Sequence, residues 1–192
     1  MNTDFSWKLP DGFAPFNAGQ LGTSWLDTFL DTYAVGPTQE ALRGQLADIV
    51  TECIAQPEQP TSWAILLGDF DGGETGVLGI AELAFVDAVD VAELTATWQE
   101  AFATDSTLKG ECVLLESKRS PIAIRRSVDL REIDGRSTYV EVGVIVKTAP
   151  RLGVSAVMRV TATSLVTFPN LMEYLRIFAQ QIEIQETAHA GR

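Results

Sequence analysis

The stretch 121–184 most constrains the fold of this chain, because it reads as three consecutive strands joined by short turns and closed by one amphipathic helix. Along Ile122–Leu130 every second residue, starting at Ile122, is apolar with the exception of Arg126. Asp134-Gly135 then indicates a turn. Four valines then alternate with other residues over Val140–Val146. A hairpin centred on Gly135 predicts that this valine row lies beside the apolar row of the first strand.

The rest of the pattern predicts helices before, inside and after this sheet. Val154–Ala162 forms the third strand and continues the same face, and a final helix begins near Pro169-Asn170. Its predicted buried stripe is Leu171, Tyr174, Leu175, Phe178 and Ile182. Upstream, Trp63–Leu67 and Val77–Phe85 read as a hairpin that is apolar in both phases, which is typical of strands covered on both faces.

Three further helices are predicted from apolar stripes and their start signals. Thr38 is the expected N-cap of one, and Asp90 begins another. The stripes are Leu26, Phe29, Leu30 and Tyr33; Leu42, Leu46, Ile49, Val50 and Cys53; and Val91, Leu94, Trp98 and Phe102. The predicted fold class is therefore α+β, with an antiparallel sheet packed between helices as an α/β/α sandwich.

We expect a single domain over 1–192. Residues 1–58 form an irregular segment plus helices, with the aromatic residues of 1–22 pinning that segment across the body. Residues 60–185 form the antiparallel sheet with its helices, and 186–192 form a flexible tail.

The C-terminal order of the segments SPIAIRR, YVEVGVIVK, a third strand and LMEYLRIFAQQIEI resembles a group of actinobacterial proteins that are themselves similar to the Mog1/PsbP-like fold. The resemblance covers residues 60–185 and departs over 1–58. It implies an antiparallel sheet between helices and a binding or adaptor role, since members of that fold mostly act as binding modules.

Charge excludes one class of partner. The net charge is −12, and residues 1–109 carry 17 acidic against 3 basic residues, whereas 110–192 carry 9 against 11. A negative field repels phosphate backbones, so nucleic-acid binding is not expected. The field could steer a cationic protein partner toward the N-terminal half, or the charge could serve solubility alone. Asp69, Asp71 and Glu74 form an acidic hairpin tip, and their spacing does not match a calcium loop. We therefore interpret them as candidate partner-binding residues.

Targeting signals and chemical motifs are absent from the sequence. No apolar run could span a membrane and no leader-like start is present, so a cytoplasmic protein without membrane association is expected. The one histidine, His189, lies in the C-terminal tail, and no nucleotide-binding or hydrolase motif occurs. We therefore predict no cofactor, metal or catalytic residue. Cys53 and Cys112 are expected to be reduced and buried.

Arg126 is the residue that most needs a structural explanation, because it is a charged residue among the alternate positions of its strand that are otherwise apolar. It could form an ion pair with an inward carboxylate such as Glu82, line a cleft and hold an acidic ligand group, or be turned outward by a β-bulge. Arg125 must point to the opposite face, so the two arginines cannot form one clamp.

Two functions from different classes follow. The first is a non-enzymatic protein-interaction module (an adaptor, a chaperone or an immunity-like partner) that uses an acidic surface. The second is a small-ligand-binding protein or a histidine-independent enzyme with a pocket around Arg126, with Glu82 as a further ligand-binding candidate. The sequence leaves a homo-oligomer open.

Overall fold

The structure is a computed structural model that describes residues 4–17, 23–33, 39–54, 62–69, 75–117, 120–133, 136–162 and 170–187. Within these ranges the elements follow in this order: β1 (Asp4–Lys8), β2 (Phe13–Asn17), α1 (Thr23–Tyr33), α2 (Gln39–Ile54), β3 (Ser62–Asp69), β4 (Thr75–Asp87), α3 (Val91–Thr104), β5 (Lys109–Leu115), β6 (Ile122–Ile133), β7 (Arg136–Ala149), a 3₁₀ turn (Pro150–Leu152), β8 (Val154–Ala162), α4 (Leu171–Gln181) and β9 (Glu183–Thr187).

Seven of the described strands form one antiparallel sheet in the order β2-β3-β4-β8-β7-β6-β5. Strands β1 and β9 pair antiparallel as a separate two-stranded sheet. The predicted α+β class with an antiparallel sheet is confirmed.

Helices cover both faces of the seven-stranded sheet. Helix α4 packs on the face that carries Ile124, Ile145 and Met158, and its Leu175 is fully buried there. The other face contacts α1 and α2 near β2–β4 and α3 near β5–β7, through two separate apolar clusters. Each large side chain that is removed from water in these clusters contributes about 1.5–3 kcal/mol. The sheet therefore lies between a layer of three helices and a single helix, as predicted.

The register of the β6–β7 hairpin differs from the prediction. Ala123 pairs with Val146 and Ile124 with Ile145, so the hairpin is centred between residues 134 and 135 instead of on Gly135. A shift of one residue in strand pairing exchanges the two faces. The valine row consequently faces α1–α3, and the row of Ile124 and Arg126 shares the α4 face with Ile145. The turn residues themselves lie outside the described ranges.

Four strands were missed at the sequence level. The segment 1–22, expected to be irregular, contains β1 and β2, although Phe13 and Phe16 are buried as predicted. Strand β2 forms one edge of the sheet, where a proline such as Pro15 is tolerated. Strand β5 was not predicted, and β9 extends to Thr187, into the region expected to be a flexible tail.

Polar side chains fix the ends of two helices. Asp90 accepts hydrogen bonds from the backbone of Ala92 and Glu93 at the start of α3, as the sequence indicated, whereas the predicted cap Thr38 lies outside the described ranges. At the end of α4, the amino group of Lys147 donates to the carbonyl oxygens of Ala179 (3.1 Å) and Ile182. Desolvation lowers the pKa of Lys147. This lysine thus satisfies carbonyl groups that the helix itself leaves without donors.

Candidate functional site

Exposed carboxylates are concentrated on α1, α2 and α3, which all cover the same face of the sheet. These three helices contain seven acidic residues and one arginine. We call this surface the acidic face and define it by Asp27, Asp31, Glu40, Asp48, Glu52, Glu93 and Glu100. A negative charge of this size on one side of a molecule attracts cations and repels polyanions.

The single arginine of the acidic face neutralises only α1. Arg43 donates to Asp31 at 2.7 Å and to Asp27 at 3.1 Å, and its hydrogen bond to Asp31 raises the pKa of Arg43. Among the ion pairs between described residues, none includes the other five carboxylates of the acidic face. The acidic face therefore retains uncompensated charge on α2 and α3.

Arg126 forms an ion pair on the α4 face of the sheet, but its partner is not the predicted one. Its Nε donates to Glu141, whose side chain is only 2% exposed, and Glu111 approaches at 3.8 Å from the edge strand β5. The pairing of β6 with β5 and with β7 continues without a break through Arg126, so the bulge interpretation is wrong. Arg126 itself is 31% exposed. It is thus a diagonal cross-strand partner of a buried carboxylate.

Glu82, the other predicted ligand-binding residue, lies on the opposite face. It accepts from Arg159 at 3.0 Å, directly across the β4–β8 pair. The side chains of Glu82 and Arg159 are 31% and 34% exposed. The structure therefore separates Glu82 from Arg126 by the thickness of the sheet.

Arg125 lies against two aromatic rings of α3, a contact that the sequence analysis did not predict. Its guanidinium carbon lies 6.0 Å from the ring centre of Trp98 and 5.7 Å from that of Phe102, both on α3. It also donates to Ser127 at 3.3 Å, while its Nε is buried without a hydrogen-bond partner within the described structure. Arg125 and Arg126 point to opposite faces, as predicted. A cation between two aromatic rings contributes mainly to the packing of α3 on β6.

The predicted acidic tip is only partly covered by the structure. Asp69 is the last residue of β3 and pairs with Thr75 in the ladder. Asp71 and Glu74 lie outside the described ranges, as does His189. Asp69, Asp71 and Glu74 stay predictions as partner-binding positions. Among the described residues, no group of three or more histidine, cysteine, aspartate or glutamate side chains is arranged to hold a metal ion.

Two cavities flank the end of the sheet where β7 turns into β8. The larger, of about 660 Å³, lies beside the start of α3 and is lined mainly by apolar residues such as Val89, Leu114 and Pro150. The smaller, of about 410 Å³, lies on the α4 side and includes Lys147 and Arg151. Arg126 lines neither of these two cavities.

Neither cysteine has the environment of a reactive thiol. Cys53 is buried, and desolvation raises its pKa to about 11. Cys112 is half-buried, burial raises its pKa, and its thiol contacts the carbonyl oxygen of Thr95. A thiolate is the nucleophilic form, so both thiols are poor nucleophiles near neutral pH.

Comparisons of the chain with protein-family models, with curated proteins and with solved structures found no match. The resemblance to the Mog1/PsbP-like fold stays a prediction. In the part of the chain that the structure describes, none of the helices has the length and hydropathy that a membrane-spanning segment requires.

Two of these features could have been found from the sequence. With a two-residue turn at 134–135, Glu141 falls on the same face as Arg126, which would have identified the ion pair. The acidic face follows from the predicted helices, because their carboxylates lie outside the apolar stripes. The position of Arg159 opposite Glu82 required the order of the strands, which no local pattern supplies.

Proposed function

We propose that this protein is a non-enzymatic interaction module that binds a cationic protein partner through its acidic face. The observation that carries the proposal is the set of five carboxylates on α2 and α3 that pair with no described cation. All five belong to exposed positions, so a partner can reach them without unfolding any part of the structure.

The physical basis is electrostatic steering. Charged surfaces of opposite sign raise association rates from about 10⁵–10⁶ M⁻¹s⁻¹ toward 10⁸–10⁹ M⁻¹s⁻¹ at low salt. Exposed charges are screened beyond about 10 Å at 0.1 M salt, so such an association weakens as salt is added. An acidic surface that serves solubility alone would produce neither a defined partner nor dependence on particular carboxylates.

One observation favours the second candidate function, a small-ligand-binding protein. The cavity of about 660 Å³ beside α3 has the size of a ligand pocket. Arg126 does not line it and is occupied by Glu141 and Glu111, so this observation supports ligand binding at a different place from the one predicted.

The test is capture of partners from native lysate at low and high salt, read by mass spectrometry, with the wild type and two charge variants. The first variant neutralises three exposed carboxylates of α2 (Glu40→Gln, Asp48→Asn and Glu52→Gln). The matched control neutralises three exposed carboxylates outside the acidic face (Asp11→Asn, Asp87→Asn and Glu116→Gln).

We expect one stoichiometric basic protein that is retained by the wild type and by the control, and that is lost at high salt and from the α2 variant. Equal retention by both charge variants, or no enriched protein at either salt concentration, would contradict the proposal. In the second case the cavity beside α3 becomes the next surface to probe.

A further inference from the structure

The hairpin formed by β6 and β7 extends beyond the sheet. Strand β5 pairs with β6 only as far as Val128, and β8 pairs with β7 only from Val142 onward. Residues 129–133 and 136–140 therefore pair only with each other within the described structure. We call this part the distal hairpin. A two-stranded hairpin is marginally stable in water, and edges without a described partner strand, together with apolar side chains, favour a further contact.

Large apolar side chains are exposed on the distal hairpin and on α4. Leu130 and Tyr139 are direct cross-strand partners and are 59% and 60% exposed. On the outer surface of α4, Tyr174 and Ile177 are 42% and 46% exposed, although the sequence predicted Tyr174 to be buried. Exposed apolar groups that cluster on one side of a protein indicate an interaction surface.

Both groups lie on the same side of the molecule. Leu130 and Tyr139 have the strand parity of Ile124 and Ile145, which face α4. Leu175 of α4 lies over Gly143, and the last turn of α4 lies beside Lys147, so α4 runs in the same direction as β7. Its N-terminal end consequently points toward Tyr139. We call the surface of α4 and the distal hairpin the neutral face.

The charge of this surface and of the whole chain indicates which partner binds there. Helix α4 contains one acidic and one basic residue, and the distal-hairpin positions that share the parity of Leu130 and Tyr139 include one charged residue, Glu132, in a chain whose net charge is −12. Two copies of such a chain repel each other through their acidic faces. They approach most readily through a surface with little net charge, and the neutral face combines that property with exposed tyrosine, isoleucine and leucine side chains. Tyrosine is enriched at the centres of protein interfaces.

We propose that the neutral face is the interface of a symmetric homodimer, in which α4 and the distal hairpin of one copy contact the same elements of the second copy. A two-fold interface brings the same patch of both subunits together. Because α4 carries both Glu173 and Arg176, a two-fold contact between two α4 helices allows an acidic residue of one copy to face a basic residue of the other. This inference is independent of the proposed function, because it uses the opposite side of the sheet.

The test is sedimentation velocity from low to high micromolar concentration with wild-type protein and three lysine variants. Ile177→Lys and Tyr139→Lys each place a charge in the neutral face. Val86→Lys is the matched control, because Val86 is 40% exposed and its side chain has the parity of the face that carries α1–α3. Circular dichroism verifies that each variant is folded.

We expect a concentration-dependent wild-type dimer whose dissociation constant rises roughly tenfold or more in Ile177→Lys and Tyr139→Lys and is unchanged in Val86→Lys. Added salt should strengthen this dimer, because it screens the repulsion between two acidic chains, whereas it should weaken binding of a cationic partner. A wild-type protein that stays monomeric throughout the concentration range would overturn the proposal. So would a dimer that both neutral-face substitutions leave intact.

Discussion

The ion pair of Arg126 and Glu141 gives the sharpest stability prediction. Glu141 is 2% exposed, so removing its cation leaves a carboxylate in the protein interior with much of its hydration lost. Breaking a buried pair by removing one partner costs about 3–5 kcal/mol. For a chain of this size each kcal/mol shifts the melting temperature by about 2–4 °C, so Arg126→Leu should lower it by about 6–20 °C.

The other arginine–glutamate pair provides a matched control within the same sheet. Arg159 and Glu82 are each about one-third exposed, so water can hydrate either partner when the other is removed. Arg159→Leu should therefore cost about 0–1 kcal/mol, the range measured for exposed pairs. Both substitutions replace a strand arginine with leucine, so differences in strand propensity cancel in the comparison.

A double substitution separates the ion pair from the packing of the arginine side chain. Arg126→Leu combined with Glu141→Leu removes both charges and should recover most of the lost stability, because an apolar pair can replace a buried ion pair at little net cost. Urea denaturation of the wild type, Arg126→Leu, Glu141→Leu and the double variant measures the coupling energy. Equal small losses for Arg126→Leu and Arg159→Leu, or a double variant less stable than either single one, would refute this account of the buried carboxylate.

Three further predictions test the packing and protonation of the core. Gly143→Val should destabilise the protein by about 1–3 kcal/mol, because even a Cβ atom there would lie 2.5 Å from buried Leu175. Gly44→Ala, with open space around it, should instead stabilise α2 by about 0.5–1 kcal/mol. Urea denaturation measures both changes. The stability of the wild type relative to Lys147→Met should rise with pH between the lowered pKa of Lys147 in the folded state and the ordinary value of 10.5. The reason is that the unfolded chain binds more protons than the folded chain in that window. Calorimetry across alkaline pH measures the stability difference, and a difference that does not change with pH would contradict the prediction. Cys53, with a pKa of about 11, should resist a thiol reagent at mildly alkaline pH until denaturant is added, and rapid labelling of the native protein at this position would show that it is not buried.

The helices and the long strands could be predicted because each contains enough residues to show the regular spacing of apolar residues that is typical of a helix or a strand. The stripe of α3 and its cap at Asp90 predicted that helix without tertiary information, as did the stripe and cap of α4. Strand β1 could not be predicted in this way. It has five residues, and its partner lies at the other end of the chain, as the bond from Lys8 to Glu183 shows.

The register of β6 and β7 marks the limit of local patterns at the candidate site. The sequence identified both strands and the turn between them, but it did not fix whether the hairpin axis passes through Gly135 or beside it. That difference decides whether Arg126 faces valine side chains or Glu141. Tertiary packing settles it: glycine at position 143 leaves room for Leu175 of α4, which only one of the two registers allows.

The order of the elements along the chain explains why the two faces of the molecule differ in charge. Helices α1, α2 and α3 all precede residue 109, within the strongly acidic part of the sequence, and all three cover the same face of the sheet. The only described helix on the other face, α4, comes from the last third, where acidic and basic residues nearly balance. An asymmetry along the sequence thus becomes an asymmetry across the sheet.

If two copies associate through their neutral faces, their acidic faces point outward on opposite sides, and a cationic partner with two suitable sites gains the higher effective concentration of bivalent binding. Disrupting the dimer with Ile177→Lys should then weaken such a partner's binding while leaving the carboxylates of the acidic face unchanged.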